Sequence, residues 1–217
     1  MLKLYGFAVS NYYNMVKLAA LEKGLVFEEV HARPSQEDAF KARSPMGKVP
    51  CIETEAGFLS ETSAILDYLE EMEPGHLPMH PFQRAKSREL MRVLELYIEL
   101  PARRHLPHVF FGAPKSESAV AEVKPVVEKG LKALAQLCSK QGPWLSGAGF
   151  SMTDIYAYYT LGYASQVIQA VYDWDIQAEV PGLKDVMARV AARPTTQKVD
   201  ADQQAALAAF LAQMKKA

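Results

Sequence analysis

The sequence is poor in cysteine, has no long apolar run and has no excess of charge of either sign. Cys51 and Cys138 are the only cysteines in 217 residues, and neither they nor the histidines show metal-ligand spacing. The net charge of −1 gives no attraction to nucleic acid or an anionic membrane. No apolar run reaches the roughly 20 residues that a membrane-spanning helix needs. We therefore expect a cytoplasmic protein with two buried free thiols, no metal, and neither nucleic acid nor membrane as a partner.

Hydrophobic patterning predicts the element order β-α-β-α-β-β-α in the N-terminal third of the chain. The predicted strands cover residues 2–7, 26–31, 50–53 and 57–59, and the predicted helices cover residues 13–23, 35–42 and 62–71. The first two strands are joined through a helix, so we expect them to be parallel. The last two strands form a hairpin and should be antiparallel.

The segment Glu73–Pro81 contains three prolines and one glycine in nine residues, which is typical of a linker. Beyond it the strand pattern ends, and helices are predicted at residues 82–100, 117–140, 152–171, 181–192 and 202–215. The sequence thus predicts an α/β domain over residues 1–73, a linker over residues 74–81 and an all-helical domain over residues 82–217.

The most informative stretch runs from Ser44 to Ile65. Pro50 has no N–H to donate, so it suits the first residue of a strand or a cis turn. Glu61 and Thr62 lie where a new helix presents free N–H groups, which favours a bound carboxylate. The stretch therefore predicts a docking surface for a small peptide that carries both charges.

A second motif opens a long apolar helix near residue 152. Ser151 and Asp154 have the spacing of a capping box, in which each side chain binds the other residue's backbone N–H. We expect the role of this motif to be structural.

These features occur in the order found in cytosolic glutathione S-transferases. The G-K-V-P turn, the S-E-T-S-A-I helix start, the Pro-rich linker and the F-S-M-T-D-I capping box together resemble that family over essentially the whole chain. Among its members, the chain is most similar to bacterial serine-type proteins near the zeta, theta and nu groups. The resemblance implies a thioredoxin-like N-terminal domain, an all-helical C-terminal domain, a homodimer, and a detoxifying transferase that uses glutathione as co-substrate.

The resemblance also implies a glutathione-binding role for each part of this stretch. Glu61 takes the α-amine of the γ-glutamyl end, and Thr62 takes its α-carboxylate. The backbone of Val49, before the cis-proline Pro50, pairs with the cysteinyl portion. Lys48 meets the glycyl carboxylate.

The resemblance places the catalytic serine six residues before Val16, at Ser10. Its hydroxyl would donate to the glutathione sulfur, and it also suits a helix N-cap. Asn11 is an alternative donor to the sulfur, as in nu-type relatives. Tyr5 is a third conceivable donor, but its place within a strand predicts a core residue.

The resemblance implies that the second substrate, a small electrophile, lies between the domains. Tyr12, Tyr97, Arg103 and Arg104 are the candidates for this cleft. The arginines suit an acidic substrate such as a maleyl compound. Tyr12 equally suits a helix start.

Three alternative functions stay open beside glutathione conjugation. Asn11 favours a nu-like glutathione-dependent disulfide reductase. A zeta-like maleyl cis-trans isomerase is less favoured, because this chain lacks the double-serine and cysteine context of that class after Ser10. A non-catalytic binding protein of the same fold would be expected to lose the γ-glutamyl site, whereas this chain keeps Glu61 and Thr62.

Overall fold

A computed structural model describes residues 1–138 and 142–214 of the chain. Contacts between its residues divide it into two compact units. The first unit comprises Met1–Gly75 together with the chain from Ala191 onward, and the second comprises His76–Val190. The boundary between the two units, after Gly75, lies within the predicted linker. The last helix groups with the first unit, whereas the sequence analysis placed it in the domain 82–217, and those domain bounds stay a prediction.

The first unit consists of a small sheet with helices. Its elements are β1 (Leu2–Gly6), α1 (Asn11–Glu22), β2 (Phe27–His31), α2 (Asp38–Lys41), β3 (Cys51–Thr54), β4 (Gly57–Ser60), α3 (Thr62–Met72) and, at the end of the chain, α10 (Pro194–Met214). The predicted order β-α-β-α-β-β-α is confirmed, with boundaries that differ by up to three residues. The last helix begins at Pro194, eight residues before its predicted start at residue 202, and its predicted end, Lys215, lies outside the described residues.

The four strands of the first unit lie in the order β2-β1-β3-β4. β1 pairs with β2 in parallel, and β3 pairs with β4 in antiparallel fashion, as the sequence predicted. The pairing of β1 with β3 is antiparallel. The core of this unit is built from fully buried apolar side chains of the sheet and of α1 and α3: Leu4, Ile52, Met15, Leu18, Ile65 and Leu69.

The second unit is helical. Its elements are α4 (Pro81–Leu94), a π-helical segment (Glu95–Glu99), α5 (Leu100–Arg103), α6 (Leu106–Phe111), α7 (Glu117–Leu137), α8 (Met152–Tyr172) and α9 (Leu183–Ala191). Pro107 lies in the first turn of α6, where a missing N–H costs little. Pro101 lies just after the π-helical segment, and the helix predicted over residues 82–100 continues through it to Arg103. The predicted end of α7, Lys140, lies outside the described residues.

Helix α8 forms the centre of the second unit, and its start is fixed by the predicted capping box. Ser151 is the N-cap, and its N–H donates to Asp154 Oδ2 at 2.9 Å. The other carboxylate oxygen of Asp154 accepts from the Leu145 N–H at 2.9 Å, so the carboxylate also holds the preceding loop. Among the described residues, no helix has the length and apolar character needed to cross a membrane.

Candidate active site

The strand register of the first unit brings three chain segments to one edge of the sheet. Tyr5 of β1 lies opposite Cys51 of β3, and Cys51 lies opposite Ser60 of β4. Because these pairings are antiparallel, the end of β1, the start of β3 and the end of β4 share an edge. The loop to Ser10, the Val49–Pro50 peptide and the Glu61 turn all emerge there.

Ser10 is the N-cap of α1, and its hydroxyl acts there as a hydrogen-bond acceptor and not as a donor. A turn that closes on Phe7, with Ser10 N–H donating to the Phe7 carbonyl at 3.0 Å, leads into the helix. The Ser10 Oγ accepts from the Tyr13 N–H at 3.3 Å. A hydroxyl has one donor and two acceptor positions, so capping uses only an acceptor position. Within the described part of the chain, the Ser10 hydroxyl has no acceptor for its proton.

Asn11 is the first residue of α1 and differs from Ser10 in its surroundings. It is buried, and it makes an interaction of its own within the chain. Both residues lie at the helix N-terminus, where the partial positive charge of the helix favours an anion. The choice between Ser10 and Asn11 as thiol donor therefore stays a prediction.

Tyr5, the third conceivable donor, is a core residue. It is 6% exposed in β1, which confirms the expectation from the strand pattern. Its hydroxyl donates to the Glu53 carboxylate. This hydrogen bond raises the pKa of the Tyr5 hydroxyl, with burial as a further cause. Its proton is thus already engaged within the chain.

The turn before β3 is held by its own hydrogen bonds and carries the expected cis-proline. The Val49–Pro50 peptide is cis. The buried Ser44 hydroxyl donates to the Lys48 carbonyl at 2.8 Å, and Lys48 itself is exposed. Gly47 has φ +66°, and a Cβ there would come within 2.3 Å of the Ser35 carbonyl oxygen. Only glycine therefore fits this turn without a shift of the backbone.

Glu61 and Thr62 begin α3 with an unusual backbone and with free N–H groups. Glu61 has φ 68° and ψ 113°, and its side chain makes no capping hydrogen bond to the helix. Such a conformation in a residue with a side chain costs of order 1–3 kcal/mol and is typical of ligand-binding sites. Thr62 is 7% exposed, while the Glu61 side chain is exposed. The first N–H groups of α3 are thus available to an anion.

The protein's own thiols are poor candidates for the nucleophile. Cys51 follows the cis-proline directly and is fully buried, as expected, and burial raises the pKa of its thiol to about 11. Cys138 is only partly buried, contrary to the expectation, because it lies at the end of α7; burial still raises its thiol pKa to about 11. Among the described residues, no group of three or more His, Cys, Asp or Glu is arranged to hold a metal.

The residues predicted for the second substrate are distributed over both units. Tyr12 lies on α1, while Tyr97, Arg103 and Arg104 belong to the second unit. Tyr97 is half exposed on the π-helical segment. Arg103 pairs with the buried Glu99 (Nε to Oε1, 3.0 Å), and Arg104 Nη1 lies 2.8 Å from the Glu122 carboxylate. Both guanidinium groups thus already have a counter-ion, and their role with a substrate stays a prediction.

Two buried polar residues of α1, which no sequence motif indicated, follow Ser10 in the chain. Asn14 is fully buried on α1, and its Nδ2 donates to the Ala8 carbonyl at 2.8 Å, which fixes the loop before Ser10. Lys17, one turn further, is 3% exposed. The apolar pattern of α1 gave no signal for them, because α1 is buried at every position from Tyr13 to Ala20 and not on one face only.

The fold and this edge first define a class of protein: a thioredoxin-like unit with a cis-proline at the sheet edge, and a helical unit. Family comparison extends the definition. The N-terminal domain of glutathione S-transferases matches residues 4–76, and the C-terminal domain matches residues 117–189. A glutathione S-transferase of Pseudomonas putida is 41% identical over 222 aligned residues, which cover 97% of this chain and 96% of the relative. The chain belongs to the glutathione S-transferase family, as its motifs predicted.

Solved structures of similar proteins agree with this assignment. A maleylpyruvate isomerase, a bacterial glutathione S-transferase of the zeta class, superposes with a TM-score of 0.72 at 26% identity, covering 91% of this chain and 95% of its own. A glutathione S-transferase of Methylobacterium radiotolerans, in complex with glutathione sulfonate, gives the same TM-score and identity and covers 91% and 93%.

Proposed function

We propose that this protein is a glutathione transferase in which the Ser10 hydroxyl donates a hydrogen bond to the glutathione thiolate. The observation that carries this assignment is the geometry of the N-cap. The Ser10 Oγ accepts from Tyr13 N–H and leaves its proton unused at the N-terminus of α1. The bound thiolate then attacks an electrophilic carbon or adds to an activated double bond.

The hydrogen bond from Ser10 and the charge of the helix N-terminus are together large enough to lower the pKa of the bound thiol by about two units. A free thiol has a pKa near 8.5, and lowering it by about two units requires roughly 2.7 kcal/mol of preference for the thiolate. One hydrogen bond to a charged group contributes about 1.5–3 kcal/mol. The partial charge of the α1 N-terminus adds about 0.3–1 kcal/mol. Ser10 and the helix together therefore account for a thiol that is largely ionised at neutral pH.

The remaining segments of the sheet edge suit the other parts of glutathione. The free N–H groups at the start of α3 and the Thr62 hydroxyl suit the α-carboxylate, and the exposed Glu61 carboxylate suits the α-amine. Val49 makes no hydrogen bond within the described turns and loops, which leaves its backbone to the cysteinyl portion. Lys48 extends its charge to the glycyl carboxylate.

Several finer assignments are part of the same proposal. We expect a cytoplasmic homodimer with a role in detoxification, acting on a small electrophile that contacts Tyr12, Tyr97, Arg103 and Arg104. Similarity to a maleylpyruvate isomerase favours a second candidate, a cis-trans isomerase of a maleyl-type substrate. In that reaction glutathione adds to the double bond, rotation follows, and the thiol leaves again. Disulfide reduction, for which Asn11 was the signal, is a further candidate.

The test combines binding to immobilised glutathione with turnover of an aryl halide, a maleyl acid and a disulfide. The pKa of the bound thiol, followed by its ultraviolet thiolate absorbance, is compared for the wild type, Ser10→Ala and Asn11→Ala. We expect Ser10→Ala to raise this pKa by about one to two units, corresponding to the loss of about 1.5–3 kcal/mol. An unchanged pKa in Ser10→Ala would refute the assignment, and a raised pKa in Asn11→Ala alone would transfer the role to Asn11.

A further inference from the structure

We propose that Tyr13 and Lys17 are positioning residues for catalysis. In this proposal, the contacts Asp202–Lys17–Glu29–Tyr13 couple the C-terminal helix α10 to the first turn of α1, so that the position of α10 affects the orientation of the Ser10 hydroxyl. The catalytic part of the proposal rests on the function proposed above, whereas the mechanical coupling within the first unit does not.

Lys17 joins three elements of the first unit. Its Nζ lies 2.7 Å from Glu29 Oε2 on β2 and 2.7 Å from Asp202 Oδ2 on α10. Burial disfavours the charge of Lys17, but the hydrogen bonds to Asp202 and Glu29 outweigh burial, and the pKa of its ammonium is raised. Lys17 is therefore charged and held between two carboxylates from different parts of the chain.

Tyr13 connects Glu29 to the first turn of α1, which carries Ser10. Its hydroxyl donates to Glu29 Oε2, the same oxygen that binds Lys17, at 2.5 Å. Its ring packs against the end of β1 so closely that a Cβ on Gly6 would come within 2.2 Å of ring carbon Cδ2. Its backbone N–H is the donor to the Ser10 Oγ at 3.3 Å. A displacement of the Tyr13 side chain thus acts on the residue that holds the Ser10 hydroxyl.

The chemistry of the network favours orientation over stability. The Lys17 side chain is 4% exposed, whereas the Glu29 and Asp202 side chains are each 45% exposed, so only the ammonium is buried. A buried charge is costly, and pairing it is often no more stabilising than apolar residues of similar volume would be. What the pairing does supply is a defined position for the ammonium between its two carboxylates. At this place that geometry fixes the first turn of α1, which carries Ser10.

The test uses substitutions that remove single contacts and keep the packing. Tyr13→Phe removes only the hydroxyl, and Asp202→Asn and Glu29→Gln remove charge from the network. Glu28→Gln is the matched control, because Glu28 is an exposed residue on the same strand. Three readouts are compared: amide hydrogen exchange of residues 10–14, the pKa of the bound glutathione thiol, and kcat set against the KM for glutathione.

For the three network variants, we expect exchange in residues 10–14 to be faster by about tenfold, with β1 and α3 unchanged. The pKa of the bound thiol should rise by about half a unit to one unit, and kcat should fall at a KM for glutathione near that of the wild type. Glu28→Gln should match the wild type in all three readouts.

Two results would overturn the inference. Exchange in residues 10–14 that equals that of Glu28→Gln would show that the network does not hold this turn. A uniform acceleration of exchange over the whole first unit, with no change in thiol pKa, would show that the network is merely structural. A wild type that binds no glutathione would refute the proposed function instead, and the exchange pattern would still decide the mechanical coupling.

Discussion

Replacing Glu61 with glycine is expected to stabilise the protein and to weaken glutathione binding. Glu61 has φ 68° in a region where a Cβ is unfavourable. Glycine lacks the Cβ and adopts positive φ readily. The same substitution removes the carboxylate that we assign to the α-amine of glutathione. Stability and affinity should therefore change in opposite directions.

The magnitudes follow from the backbone geometry and from the lost charge. Relief of a strained backbone contributes of order 1–3 kcal/mol, and the extra freedom of glycine in the unfolded chain offsets about 0.5–1 kcal/mol. A net gain of about 1 kcal/mol should raise Tm by roughly 2–4 °C for a chain of this length. Loss of one charge-assisted hydrogen bond of about 1.5–3 kcal/mol should weaken glutathione binding roughly 10- to 150-fold.

Thermal unfolding and calorimetric titration with glutathione measure the two effects. Glu61→Gln is the matched control, because it keeps the Cβ and the backbone strain but loses the charge. It should lose affinity at nearly unchanged Tm. A Glu61→Gly variant that is less stable than the wild type, or that binds glutathione with unchanged affinity, would contradict the interpretation of this residue as a strained ligand-binding position.

Two buried groups give further expectations on stability. Lys23 Nζ lies 2.5 Å from Glu70 Oε2, and both side chains are 1% exposed. Glu70→Gln removes the carboxylate charge that faces the buried ammonium and should lower the free energy of unfolding by about 3–5 kcal/mol in urea titration. Combining Lys23→Met with Glu70→Leu should restore most of this loss, and an equal loss in the double variant would refute the expectation. Burial, with nearby positive charges, lowers the pKa of His105, whose Nε2 lies 2.8 Å from Tyr172 Oη. Because the unfolded chain binds more protons than the folded chain near this pH, stability should fall as the pH drops through and below the ordinary histidine pKa of about 6.5. His105→Gln should flatten the dependence of Tm on pH in this range. An unchanged slope of Tm against pH in His105→Gln would contradict the assignment to His105.

The fold was largely predictable because its signals are local in the sequence. The strand pattern over residues 2–7, the helix pattern over residues 62–71 and the capping box of Ser151 and Asp154 each depend on residues close together in the chain. The continuation of α4 through a π-helical segment to Arg103 was not predicted, because a proline inside a helix removes one N–H donor and bends or breaks most helices. In the structure Pro101 lies just after the π-helical segment, and Pro125 lies inside α7.

Sequence motifs named the candidate site residues, but they did not show how these residues are connected to the rest of the fold. Ser10, Val49–Pro50 and Glu61 were named from motifs, and the strand register then placed their segments at one sheet edge. The network of Lys17 was missed because its partners Glu29 and Asp202 are 12 and 185 residues away. A charge in a sequence does not show which distant charge it meets.

The sequence alone determined the family and the order of elements in the first unit, since these depend on local patterns and on motifs in a fixed order. Tertiary structure alone decided three things: that Ser10 caps α1 without donating its hydroxyl hydrogen to any described residue, that Glu61 has a positive φ, and that α10 groups with the first unit through contacts such as Lys17–Asp202. The physical reason is that hydrogen-bond partners, backbone strain and burial are properties of residues brought together in space, which no single stretch of the chain contains.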